Sequence, residues 1–169
     1  MEMNKKEIEK KFLIRYPSNE VLSRIGEGKR SRIVQTYLCS EEGVTSRVRM
    51  REYSDRVKYT KTEKRRISFI SCFEDERELT EAEYKKELEN TDKAKNPIIK
   101  ERLLLDFGGH TFEIDIYPFW DDRAIMEVEL LSEEESFEIP SDIEVIRDVT
   151  EDRRYKNARL ALEIPFDEI

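Results

Sequence analysis

Side chains alternate along this chain with a period of two, and in four segments charged residues take one face while apolar residues take the other. Glu7, Glu9 and Lys11 share a face opposite Ile8. Arg47, Arg49 and Arg51 align opposite Val48 and Met50. Lys100 and Arg102 align in the segment that begins near Ile98, and Glu127 and Glu129 align opposite Met126, Val128 and Leu130. A period of two is that of a β-strand. For any one strand, a solvated charged face over an apolar core is the simpler reading, because antiparallel sheets commonly keep one side wet. The four strands together argue differently. Their charges are sorted by sign, two faces acidic or acidic with lysine and two basic, whereas neighbouring solvent-facing strands usually mix signs to limit repulsion. Sorted signs suit a shared cavity, in which cations hold an anion and carboxylates hold a metal that bridges to it. A closed barrel with a charged interior supplies such a cavity, its apolar faces turned outward beneath helices.

Strand-like alternation dominates the rest of the chain as well. The pattern predicts strands over 6–15, 32–39, 46–53, 56–62, 67–76, 98–106, 111–117, 124–131 and 144–147. Turn-forming stretches at 41–43, 53–55 and 108–109 separate several of them and read as hairpins. Helical pieces interrupt the strands. Ser18 can cap a short helix ending near 26–28, Thr80 with Glu83 forms a capping box for a helix to about Glu89, and Ser132 with Glu135 repeats that signal for a short turn. Thr150 or Asp152 can cap a last helix through 155–162, stopped before Pro165. So many strands avoid exposed edges by closing on themselves. The predicted fold is therefore α+β: eight or nine antiparallel strands in a closed or nearly closed β-barrel with a few flanking helices, in one domain over 1–169.

Composition removes several function classes. Of 169 residues, 41% are charged and 37% hydrophobic, so part of the charge is expected inside the fold. The net charge is −8, with 31 basic against 39 acidic residues, which opposes nucleic-acid binding but not a locally held anion. Two cysteines, Cys39 and Cys72, and a single histidine, His110, make a zinc site, a disulfide framework or a Ser-His-Asp hydrolase a poor fit. No apolar run approaches the roughly 20 residues of a membrane span, and residues 1–11 lack the apolar centre of a signal peptide. A cytoplasmic protein without a membrane or nucleic-acid partner is expected, as a monomer or homodimer. Carboxylates, lysines and arginines remain for chemistry, a set suited to magnesium-dependent phosphate reactions.

Six segments, in order, resemble the CYTH superfamily, the triphosphate tunnel metalloenzymes. E-I-E-K-K-F-L-I (7–14) resembles its opening ExExK signature, V-R-M-R (48–51) its basic strand and Y-T-K (59–61) the strand with a tunnel lysine. I-K-E-R (99–102) resembles the K-x-R strand, and F-E-I-D-I (112–116) with M-E-V-E-L (126–130) the late acidic strands. D-V-T-E-D-R-R-Y-K-N (148–157) resembles the C-terminal plug helix of small bacterial members. The resemblance spans nearly the whole chain. It implies an eight-stranded antiparallel closed β-barrel with a C-terminal plug helix, a tunnel that binds an inorganic or organic triphosphate with one or two divalent cations, Mg2+ or Mn2+.

On that resemblance, Glu7, Glu9, Glu127, Glu129 and the inward Asp115 are the expected metal ligands, with orienting a neighbour as the alternative role for Asp115. Lys11, Arg49, Arg51, Lys61, Lys100, Arg102 and Lys156 are the expected phosphate contacts, Lys11 and Lys156 also acting in catalysis. One departure stands out. The family's R-x-E-x-E strand is replaced by R-R-I-S-F-I-S-C-F-E-D-E (65–76), where only Glu74 and Glu76 share the parity of Arg66. These two are the candidate groups for activating water, and the departure places the second metal in question. The implied activity is hydrolysis of inorganic tripolyphosphate. The alternatives are a thiamine triphosphatase, a class IV adenylyl cyclase or a non-catalytic triphosphate sensor.

Overall fold

The computed structural model describes residues 5–169; residues 1–4, part of the N-terminal stretch read above, lie outside the described residues. Nine strands form one antiparallel sheet: β1 (Lys5–Arg15), β2 (Arg30–Leu38), β3 (Val44–Glu52), β4 (Val57–Arg66), β5 (Ser71–Leu79), β6 (Ile98–Phe107), β7 (His110–Ile116), β8 (Arg123–Glu129) and β9 (Val145–Asp148). The order is β5-β4-β3-β2-β6-β7-β8-β1-β9, and β1 pairs back with β5, which closes eight strands into a barrel. The seam is shared along β1. Its first part, Lys5 to Ile8, pairs with β5, and Phe12 to Ile14 pair with β9, while its other edge pairs with β8 from Glu9 to Arg15. The α+β closed barrel expected from the sequence is the fold observed.

Alternation sorts the side chains as the sequence implies. The even-numbered residues of β1, Ile8, Phe12 and Ile14, face outward and pack with Leu103, Leu105, Phe112, Ile114, Met126 and Val128. Helix α1 (Asn19–Arg24) covers this layer through Val21 and is capped by Ser18. Helix α2 (Glu81–Glu87) carries the complete Thr80–Glu83 capping box and lays Tyr84 over Val48 and Leu79 on the outer face. Ser132 to Glu135 makes only a turn, with the Glu135 N–H donating to the Ser132 carbonyl at 3.2 Å. The β6–β7 hairpin turns on Gly108 and Gly109, whose φ of 58° and 80° belong to the left-handed region that glycine enters without steric cost.

One predicted strand needs correction. Residues 67–76 do not form a single strand. Strand β4 continues to Arg66, residues 67–70 turn with the N–H groups of Ile67 and Ser68 donating to the Ser71 carbonyl at 3.0 Å, and β5 begins at Ser71. The turn sequence I-S-F-I is mostly strand-forming and has neither Gly nor Pro; Ser68 is its one turn residue, its hydroxyl accepting from the Ser71 N–H at 3.1 Å, so local sequence misplaces the turn.

The C-terminal segment plugs one end of the barrel. Leu13, Tyr37, Ile98, Tyr117 and Ile125 pack there against Tyr155, Leu160 and Ala161. The plug is a 3-10 turn (Arg153–Tyr155) capped by Asp152, followed by the short α3 (Asn157–Leu160). Thr150 fastens it to the barrel: its hydroxyl accepts from the Lys11 N–H at 3.0 Å, and the Val149 N–H donates to the Lys11 carbonyl at 2.9 Å. Among the described residues, no helix is long and apolar enough to cross a membrane. Tyr155 is fully buried, and its hydroxyl donates to Asp167 at 3.1 Å and lies 3.0 Å from the Arg147 guanidinium. Tyr155→Ala is expected to cost about 3–5 kcal/mol, the range for losing a large buried ring. Urea unfolding at unchanged slope checks this.

Candidate active site

Strand register decides which charges face the interior, because directly paired residues share a face. Lys11 pairs with Glu127 and Glu9 with Glu129 across β1–β8. Arg102 pairs with Asp115, Ser31 with Arg102, and Gln35 with Arg49. Arg47 pairs with Thr62, Thr62 with Glu76, and Lys64 with Glu74. The acidic pairs and the basic pairs predicted to share a cavity therefore line one barrel interior. A cleft of about 570 Å³ opens beside them, lined in part by Arg51, Glu113 and Glu129.

Two carboxylates neutralise the deepest cations. Asp115 has no exposed side-chain surface; it accepts from the Lys100 ammonium at 2.6 Å and from Arg102 through both oxygens, at 2.8 Å and 2.9 Å. Arg102 also pairs with Glu113. The prediction of Asp115 as a metal ligand is corrected: both of its oxygens are taken by cations, so it positions Lys100 and Arg102. Burial opposes its charge, but Arg102 and Lys100 hold the carboxyl below its ordinary range. Lys11 donates to Glu127 at 3.1 Å and to the Tyr155 carbonyl at 3.4 Å.

The β3 arginines are different, because the hydrogen-bond acceptors of Arg49 and Arg51 on the neighbouring strand are neutral. Buried Arg49 donates twice to the neutral Gln35 amide oxygen, at 3.1 Å and 2.8 Å, and Gln35 is itself fixed by donating to the Tyr37 hydroxyl at 2.8 Å. Arg51 donates to the Ser31 hydroxyl at 2.9 Å. The buried Nε of Arg47 has no hydrogen-bond partner among the described residues. Burial and then the neighbouring Arg47 and Arg102 push Arg49 down to about 9. Burial, aided by Arg102 and Arg49, also brings Lys100 down to about 7 despite Asp115. Buried positive charge is thus crowded around Arg49 and Lys100, a setting that favours a polyanion.

Acidic groups crowd in the same way on the other wall. Burial, then the neighbouring Glu127, pushes Glu9 up to about 8. Burial opposes ionisation of Glu127 too, but Lys11, Arg102 and Lys100 together with a hydrogen bond from Glu9 hold it well below its ordinary range. The two carboxyls thus oppose each other's ionisation, with the burden falling on Glu9. Glu7 and Glu74 form a second hydrogen-bonded carboxyl pair, with Lys64 between them at 2.7 Å and 3.2 Å. Among the described residues, no three acidic, histidine or cysteine groups converge as a preformed metal cage. Paired hard oxygens without a cage nevertheless fit Mg2+ or Mn2+, which are commonly held by one or two carboxylates and the oxygens of a bound phosphate.

Other expected residues fall in different places. Lys61 is corrected: it lies on the outer face opposite Val48 and donates to Glu87 of α2 at 3.0 Å. Strand β4 carries lysines at both parities, so the sequence does not reveal which one faces inward. The interior lysine is Lys64, which sequence reasoning missed along with Glu113, Gln35 and the unpaired role of Arg47. Glu74 and Glu76 both face inward; Glu74 meets Lys64, while Glu76 accepts from Thr62 at 2.9 Å and stays exposed. Lys156, half-buried on the plug, donates to the Phe69 carbonyl at 3.4 Å, and burial with Lys11 and Arg66 brings it down to about 8.

The Glu9 carboxyl yields a stability prediction. A carboxyl raised in the folded state contributes stability fully below its unfolded value, and loses it as pH rises through the folded value. Wild-type protein in EDTA should lose stability between about pH 5 and pH 8 through this group. Glu9→Gln should be more stable than wild type above about pH 8 and close to it near pH 5. Urea melts across that range check the sign.

No family model and no curated protein sequence matches the chain. Solved structures do. The inorganic triphosphatase NE1496 is 28% identical, with 98% of each chain covered and a TM-score of 0.58. An adenylate-cyclase-like protein from Bacillus halodurans is 20% identical over 76% of this chain and 83% of its own, with a TM-score of 0.53. A Hippeastrum protein, described as an adenylyl cyclase with a dominant triphosphatase activity, is 15% identical over 74% of this chain and 80% of its own, with a TM-score of 0.51. The latter two show the fold alone. With an eight-stranded closure, an interior sorted by sign and this alignment along almost its entire length, the chain has the fold of the CYTH superfamily, the triphosphate tunnel proteins.

Proposed function

We propose that the protein hydrolyses inorganic tripolyphosphate inside the barrel with the help of a divalent cation. The observation that carries this reading is the β3 arginine row, Arg47, Arg49 and Arg51, held in the interior by neutral partners or none. An anion from outside would give Arg49 and Arg51 the charged partners that their neutral hydrogen-bond acceptors do not supply. The likeness to NE1496, an inorganic triphosphatase, favours tripolyphosphate over an organic triphosphate. A barrel plugged at one end also leaves less room for a bulky organic group beyond the phosphates.

In this reading Arg49 and Arg51 grip phosphoryl oxygens bidentately, while Lys11, Lys100 and Lys156 act as point charges along the chain. Arg102, locked by Asp115 and Glu113, is already oriented and loses little freedom when substrate arrives. Glu9 and Glu127 would hold the cation with Glu129 beside them. A bound Mg2+ or Mn2+ would supply charge neutralisation at the phosphoryl oxygens. Glu74 is ionised, because Glu7, Lys64 and Arg47 overcome the effect of burial, so it can accept a hydrogen bond from the attacking water. Fixed cations then stabilise the charge that develops on the leaving pyrophosphate, and no covalent nucleophile is needed.

The test is phosphate release from tripolyphosphate, ATP and thiamine triphosphate, each with Mg2+ and with Mn2+. Tripolyphosphate should be the fastest of the three, and EDTA should abolish turnover. Glu129→Gln should lower turnover at least about a hundredfold, the scale of one electrostatic contact worth about 3 kcal/mol. Undiminished turnover in EDTA rejects the cation, faster release from thiamine triphosphate rejects the substrate, and tight binding without release makes the protein a sensor.

A further inference from the structure

The interior contains two close carboxyl pairs, and they are neutralised differently. Glu9 and Glu127 face each other on β1 and β8, Glu127 is paired with Lys11 at 3.1 Å, and Glu9 has no ion pair of its own among the described residues. Glu7 and Glu74 instead enclose an ammonium. Lys64 Nζ lies 2.7 Å from Glu7 Oε2 and 3.2 Å from Glu74 Oε2, bridging β4, β5 and β1 where the barrel closes. The Cys72 thiol donates to the same Glu7 oxygen at 3.4 Å, so that oxygen is doubly occupied. All three charged side chains are largely sheltered, with 24%, 17% and 19% of the side chain exposed for Lys64, Glu7 and Glu74. At that burial an ion between two carboxylates is held in place rather than exchanged freely with solvent.

From this arrangement we infer that Lys64 is a built-in cation that occupies the Glu7–Glu74 carboxylate pair and limits the barrel to one divalent ion, held at the Glu9–Glu127 pair. Two close carboxylates need positive charge between them whether it comes from a metal or from the chain. An ammonium on a four-carbon stem reaches the midpoint and supplies one charge with three donors, without the ligand geometry a metal demands. Lys64 is thus a positioning residue: it fixes Glu74, the group proposed to hold the attacking water, and keeps a second ion out. The inference rests on the metal-dependent reading above, and it accounts for a barrel interior that faces Cys72 and Arg66 across the β4–β5 hairpin where that family's pattern continues with R-x-E-x-E.

The test counts Mn2+ by the loss of its free electron paramagnetic resonance signal, on the full chain without substrate and again with a non-hydrolysable imido analogue of tripolyphosphate. Wild type should bind one Mn2+ per chain. Lys64→Met, which keeps the volume and deletes the charge, should bind two, and Lys64→Arg should stay at one. Lys64→Met should also melt at a lower temperature in EDTA and recover with Mn2+, a readout independent of turnover. Glu9→Gln should lose the single wild-type ion. If Lys64→Met unfolds, a wild type that binds two ions, or a Lys64→Arg that does, overturns the inference. A Lys64→Met protein that stays at one ion but loses analogue affinity also overturns it, and makes Lys64 a phosphate contact. No Mn2+ bound by wild type or either variant, with or without the analogue, instead overturns the metal-dependent reading on which the inference stands.

Discussion

Charge buried in a closed barrel has to be balanced at short range, and this interior is balanced only in part. Asp115 satisfies Lys100 and Arg102, Glu127 satisfies Lys11, and Lys64 satisfies Glu7 and Glu74. Arg47, Arg49 and Arg51 are left with a neutral amide, a hydroxyl or nothing, and Glu9 is left beside Glu127. A fold selected for stability alone would do better with apolar residues at such positions. The unbalanced remainder has an acidic side and a basic side, and the ligand that completes both is a polyanion carrying its own cation.

The rest of the architecture serves that interior. An ordinary sheet hides its apolar face in a core and shows charge to water; here the relation is inverted, so the apolar faces need covers outside. Helices α1 and α2 and the segment that includes Phe137 supply them. The plug does the complementary task at one end, replacing water by Tyr155 and Leu160 and leaving the charged section in a setting of low dielectric. In such a setting each contact to phosphate is stronger than it would be at the surface.

Much of this was legible in the chain because alternation is a local property. The sign-sorted faces of β1, β3, β6 and β8 could be read residue by residue, and the Thr80–Glu83 capping box appears as written. What was not legible depended on register between distant strands. Lys61 and Lys64 have opposite parity, and only the pairing of Val48 with Lys61 shows that the first faces α2 and the second faces Glu7. Asp115 looks like any inward carboxylate in sequence; that two cations consume it is a matter of three strands meeting. The turn at 67–70 was hidden for the converse reason, since strong strand formers occupy a position that the barrel's closure requires to bend.

Arg49 sits at the centre of the account, and titration calorimetry with tripolyphosphate on wild type and Arg49→Met measures its role most directly. Methionine keeps the stem and removes the unbalanced charge. The account predicts that triphosphate affinity falls at least about a hundredfold, roughly the 3 kcal/mol of a buried charged contact, while the ligand-free variant is no less stable than wild type. Unchanged affinity, together with a less stable variant, would contradict it, because Arg49 would then be part of the scaffold and not a vacancy for an anion.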